Sequence, residues 1–205
     1  MFVMTVDQQG STRRGDQVLE LLAFFDTHHL SVPAPGFALG FERTVGDEVQ
    51  AVLDDPERVV EVALALVRQG GWSIGIGAGP VHEPLPDSSR EASGEAFVHA
   101  RTAVDRAKTR GSAVPLAVEG EDSERAAEAE SLLRLLGTVV LRRTDAGWAA
   151  VDALTGGATT QKDVATHLGV SEQAVSQRLR TAAWAEESAA RPLAARLLAA
   201  AEGTS

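Results

Sequence analysis

The chain contains no cysteine, so a disulfide framework and a thiolate metal site are excluded, and nothing marks an oxidising compartment. No uninterrupted apolar run reaches membrane-spanning length, and Met1 to Asp7 is a short apolar stretch without a basic n-region or a cleavage site. A cytoplasmic protein with no membrane partner is expected. Positive charge is scarce: 19 Lys and Arg stand against 29 Asp and Glu, for a net charge of −10. This excludes non-specific coating of nucleic acid, which draws its affinity from many cations meeting phosphates. The deficit is uneven, however. From Ala158 onward five basic residues meet five acidic ones, so the acidic excess lies in the first 157 residues and the C-terminal part is freer to approach a polyanion.

The 205 residues, 44% of them hydrophobic, suit one medium domain plus a small one. Phe2 to Val6 reads as a strand ending in an acid, Asp7. The polar turn Gly10-Ser11-Thr12 follows, and Val18, Leu21, Leu22, Phe25 and Leu30 carry a helical period. A helix starting near Ser11 or Thr12 aims free N–H groups at whatever sits beside Asp7, which suits a phosphate; an ordinary capped start is the alternative. After Pro33-Ala34-Pro35-Gly36, the runs Phe37 to Phe41 and Val49 to Leu53 form a hairpin with the acidic tip Val45-Gly46-Asp47-Glu48. Two strand-end carboxylates, Asp7 and Asp47, repel unless something cationic lies between them. That cation is either a metal such as Mg²⁺, with Glu48 as a third ligand or a solvated neighbour, or an arginine: Arg13, Arg14 or Arg43.

Pro56 opens a helix with the buried stripe Val59, Val60, Ala63, Leu64 and Val67. Trp72 to Val81 alternates apolar and small residues as a central strand, whose glycines let a neighbouring backbone or a ligand come close. They lie inside the strand pattern, so this is not a dinucleotide fingerprint. A helix over 93–108 and a strand over 113–118 complete the order β-α-β-β-α-β-α-β, whose first six elements are the split βαβ of ferredoxin-like sheets. The class is α+β. Glu119 to Glu130 shifts to acidic, alanine-rich composition, which places a ligand domain at 1–120, a linker helix at 121–144 and an all-α unit at 145–205. The histidines are too scattered to ligate zinc.

Gln161 to Arg180 fits a helix-turn-helix. Ala165 is small where two helices cross, Gly169 can take the positive φ of the turn, and Val164, Leu168, Val170, Val175 and Leu179 are the apolar faces. Ser171 caps the second helix, and Glu172, Gln173, Ser176, Gln177 and Arg180 point outward. Gln and Arg suit bidentate contacts with base edges, and Ser hydroxyls suit phosphates. DNA is the expected partner, through Ser171, Gln173, Ser176, Gln177 and Arg180; a protein partner is the alternative.

Taken together, Asp7 with Gly10-Ser11-Thr12, Gly46-Asp47-Glu48 with Gln50, Ile74-Gly75-Ile76-Gly77, Gly94-Glu95-Ala96-Phe97 with Ala100-Arg101, and the helix-turn-helix resemble the SatD family over nearly the whole chain. The N-terminal part is similar in turn to the nucleotide cyclase and diguanylate cyclase palm. That resemblance implies metal ions at Asp7 and Asp47, a phosphate turn at Gly10, Ser11 and Thr12, and further ligand contacts from Glu48 and Arg101. Paired acids serve such chemistry because a metal clamp neutralises charge on a transferring phosphoryl group. The cyclase asparagine and arginine positions hold Val98 and Thr102 here, and Val45 replaces the first glycine of the hairpin signature. No catalytic residue is therefore assigned. The expected function is a dimeric DNA-binding regulator whose N-terminal domain senses a nucleotide or phosphate, with Mg²⁺; the alternative is an active nucleotidyl cyclase-like enzyme targeted by its helix-turn-helix.

Overall fold

The computed structural model describes residues 1–109 and 111–203; residues 110, 204 and 205 lie outside the described residues, so the last two positions of the expected all-α unit are not covered. Apolar alternation in the N-terminal half produces strands β1 (Phe2–Gln8), β2 (Phe37–Arg43), β3 (Glu48–Leu53), β4 (Trp72–Ala78) and β5 (Leu116–Glu119). Helices α1 (Ser11–Arg14) and α2 (Val18–Thr27) follow β1, α3 (Pro56–Gln69) follows β3, and α4 (Glu95–Ala107) follows β4. The five strands form one mixed sheet in the order β2-β3-β1-β4-β5, antiparallel except for the β4–β5 pair. The protein is α+β.

The first helix comes in two pieces. Gly10, with φ 68°, precedes the single turn of α1, and Gly15, with φ 76°, ends it. The main helix starts only at Val18, whose N–H donates to Asp16 Oδ1 at 3.0 Å. Buried Gln8 bridges the break, donating to Gly15 O at 2.6 Å and accepting from Gln17 N at 2.9 Å. The expected long helix from Ser11 or Thr12 fails because a left-handed Gly15 interrupts the backbone ladder.

One sheet face carries Phe2, Met4 and Val6 with Val49, Ala51, Leu53, Ile74 and Ile76, in a core shared with α2 and α3. The other face packs α4 against β4. A Cβ on Gly77 would lie 2.1 Å from Ala96 O and 2.3 Å from Ala100 N, and one on Gly75 2.4 Å from Val104 N. The glycines of β4 thus admit a helix backbone.

Beyond the sheet come α5 (Ser123–Arg142), α6 (Asp145–Thr155), α7 (Gln161–Leu168), α8 (Glu172–Thr181) and α9 (Trp184–Ala201). The expected linker helix over 121–144 is present as α5, but it is not a solvated connector: its Ala126, Ala129, Leu133, Leu136 and Val140 belong to the sheet core, as do Ala194, Leu198 and Ala201 of α9. Alanines supply much of that inward face, so the stretch reads as polar by composition. Buried Glu130 is neutralised by Arg106 at 2.6 Å and Arg134 at 2.9 Å. Helices α6, α7 and α8 build a smaller core from Ala150, Val151, Val164, Ala165, Val175, Leu179 and Ala182. Among the described residues no helix is long and apolar enough to cross a membrane.

Arg143 joins the two parts. Its side chain is fully buried, its Nε and Nη2 donate to Ala182 O at 3.2 and 3.1 Å, and Nη2 lies 3.5 Å from the equally buried Glu187. The guanidinium also lies 4.3 Å from the Trp148 ring centroid, beside Arg68 at 3.7 Å. Arg68 in turn holds both oxygens of Asp152 on α6, at 2.6 and 2.7 Å. Burial lowers the Arg143 pKa, and the charge of Glu187 opposes that shift.

Gly77→Ala is expected to lower unfolding stability by roughly 3 kcal/mol, since the methyl meets helix backbone rather than a movable side chain. Denaturant unfolding monitored by tryptophan fluorescence measures it.

Candidate functional site

The antiparallel register of β1 and β3 sets Asp7 opposite Glu48. On α4, Arg101, Asp105 and Lys108 follow at i, i+4 and i+7, which puts them on one face. Lys108 Nζ lies 2.9 Å from Asp7 and 3.4 Å from Asp105; Arg101 lies 2.7 Å from Glu48 and 3.5 Å from Asp105. The result is a row of alternating charge, Glu48, Arg101, Asp105, Lys108, Asp7. Partial burial opposes the charged form of Lys108, but its hydrogen bonds and charge contacts with Asp7 and Asp105 outweigh this and raise its pKa. Glu48 is itself 8% exposed and also accepts from Thr44 Oγ1 at 2.8 Å.

Asp47 sits apart from this row. It is half-buried in the hairpin turn, its carbonyl accepts from Gln8 N at 3.2 Å, and its carboxylate has no partner among the described residues. The fixed cations near the acids are therefore Lys108 and Arg101, not Arg13 or Arg14. Arg43 is occupied elsewhere: it donates to Gly46 O and to Asp16, each at 2.6 Å, fastening the hairpin tip to the break between α1 and α2. The backbone bond from Val18, followed by that of Arg43, lowers the pKa of Asp16.

Among the described residues no three His, Cys, Asp or Glu side chains are arranged to hold a metal. As arranged, these residues do not fit a resident Mg²⁺: the carboxylates of Asp7 and Glu48 each already hold an organic cation, and Asp47 forms no metal-holding group with them. Of the phosphate-turn residues, Gly10 takes the left-handed conformation and Ser11 and Thr12 fall in the one-turn α1. Arg13 and Arg14 beside them are exposed and have no ion-pair partner among the described residues.

The loop before α4 is anchored by a cluster that sequence reading missed. Glu42 Oε2 accepts from Ser88 Oγ at 2.5 Å, Ser89 N at 3.0 Å and Ser89 Oγ at 3.2 Å, while Ser89 Oγ also donates to Gln50 O at 3.1 Å. The Ser88 hydroxyl is the main reason the Glu42 pKa is lowered. Contacts 46 and 47 residues apart leave no local signal. Lys108 was legible in principle, standing seven residues after Arg101.

In the C-terminal unit, Thr160 and Asp163 form a capping box at the start of α7, and Gly169 closes the helix with φ 65°. Ser171 caps α8, its Oγ accepting from Ala174 N at 3.2 Å. Gln173, Gln177 and Arg180 are exposed and Ser176 is half-buried, while Val175 and Leu179 face the small core. Lys162, Arg178 and Arg180 have no ion-pair partner among the described residues. No family model, curated protein or solved structure matches the chain.

Glu42→Gln is expected to destabilise the protein at neutral pH. A lowered folded-state pKa gives stability that is present above the unfolded value and lost as pH falls through the folded one. The gap between wild type and variant should therefore close as pH drops below 4.5, the ordinary value for this group; melting temperatures across that range measure it.

Proposed function

We propose that this chain is a DNA-binding transcriptional regulator whose sheet unit responds to a nucleotide or another phosphate compound. The observation that carries the reading is the outer face of α8. Gln173, Ser176, Gln177 and Arg180 stand at i, i+3, i+4 and i+7, on one stripe of a capped helix, with the Arg180 guanidinium uncommitted among the described residues. Such a stripe matches what a major groove requires, since Gln and Arg make bidentate contacts with adenine and guanine edges. Helix α7, the turn 169–171 and α8 then form a helix-turn-helix steadied by α6, and Ser171 serves first as the cap.

For the sheet unit, the order β2-β3-β1-β4 with every neighbour antiparallel is that of the split βαβ sheet, and β5 extends it. This supports the cyclase-like reading and, with the C-terminal helices, the likeness to the SatD family. The exposed Arg13 and Arg14 beside the Gly10 turn suit an anionic ligand. The salt-bridged acids, together with Val98 and Thr102, favour sensing over turnover. The joint at Arg143 ties this unit to α8 through Ala182 at its end, which gives ligand binding a route to the DNA-reading surface.

Footprinting on DNA flanking the protein's own gene is expected to reveal a protected site whose affinity falls with salt. Arg180→Ala, with unchanged melting temperature, should weaken binding there about 10- to 100-fold. Absence of any protected site, or equal binding by Arg180→Ala, would overturn the reading.

A further inference from the structure

Helix α5 carries two apolar stripes, only one of which the sheet uses. Leu133, Leu136 and Val140 point into the core, whereas Leu135 is 62% exposed, Val139 beside it is half-buried, and Leu132, also half-buried, packs against the core with only part of its surface. With Glu128 and Arg142, both exposed, these residues follow the spacing 4-3-4-3, which is the seam of an antiparallel or parallel helix pair. The seam is self-complementary in one arrangement only. Under a two-fold axis at Leu135, residues whose numbers sum to about 270 meet, so Leu135 meets its own copy, Leu132 meets Val139, and Glu128 meets Arg142. Arg142 has no ion-pair partner among the described residues, and Glu128 is held only by the exposed Arg125, at 2.8 Å.

We propose that α5 is a dimer seam: two copies of this chain pack α5 against α5 in antiparallel fashion, with Leu135 at the centre and reciprocal Glu128–Arg142 pairs at the ends. A parallel pair would set Glu128 against Glu128 and Arg142 against Arg142, so charge selects the antiparallel partner. The α5 helix runs for 20 residues, about 30 Å, and it leads directly to Arg143, so the seam fixes how far apart two α8 helices stand. The inference deepens the DNA-binding reading, and its test uses no DNA, so the two fail separately.

Analytical ultracentrifugation of the full chain is expected to show twice the 21.5 kDa protomer mass. Leu135→Asp should raise the dissociation constant at least about 100-fold, with circular dichroism and melting temperature unchanged because the residue is exposed. Glu128→Arg alone should weaken the dimer, and adding Arg142→Glu to it should restore association. A monomeric wild type, a Leu135→Asp variant that stays dimeric, or a double swap that fails to recover association would overturn the proposal.

Discussion

The contact on which the most depends is the approach of α4 to β4. Gly75 and Gly77 leave the strand bare on one face, so the backbone of α4 lies where side chains would otherwise stand. Close packing there fixes the height and rotation of the helix, and these place Arg101 and Lys108 over Glu48 and Asp7. Two strand-end carboxylates in register are an electrostatic liability that needs a cation. In this protein α4 supplies it, so the end of the sheet that resembles a metal site is neutralised from within.

The opposite face has a different consequence. Helices α5 and α9 share the sheet core and then continue to the C-terminal helices, meeting at Arg143 and Glu187. Burying such a pair costs desolvation that its attraction only partly offsets, but removing one partner leaves an uncompensated charge in the interior. Among the described residues Arg143 Nη1 has no hydrogen-bond partner, and the nearby Trp148 ring offers its guanidinium a favourable face. Together with the Arg68–Asp152 pair, this joint resists independent motion of α6 and α8 relative to the sheet. The proposed regulatory role needs such stiffness if a change at the sheet is to be felt at α8.

Much of this was legible in the sequence because the signals were local. The strand periods, the helix start at Pro56, the small Ala165 and the Gly169 turn each depend on a few neighbouring residues. The α1–α2 break was missed because a helical period from Val18 onward masks the left-handed Gly15. The role of α5 was misread for a related reason: alanine-rich composition resembles a solvated linker until the sheet packs on it. Least legible were the partners of the acids. Lys108 shares a helix face with Arg101, but nothing near Asp7 announces it, and nothing near Glu42 announces Ser88; only the sheet topology brings these partners together.

The internal neutralisation of the acids is the point on which the proposed sensing role differs from metal-dependent catalysis, and calorimetric titration with Mg²⁺ addresses it directly. The account predicts no saturable Mg²⁺ binding to the wild-type protein and the appearance of binding in Lys108→Gln, where Asp7 loses its cation. Saturable binding by the wild type that Asp7→Asn abolishes would contradict it.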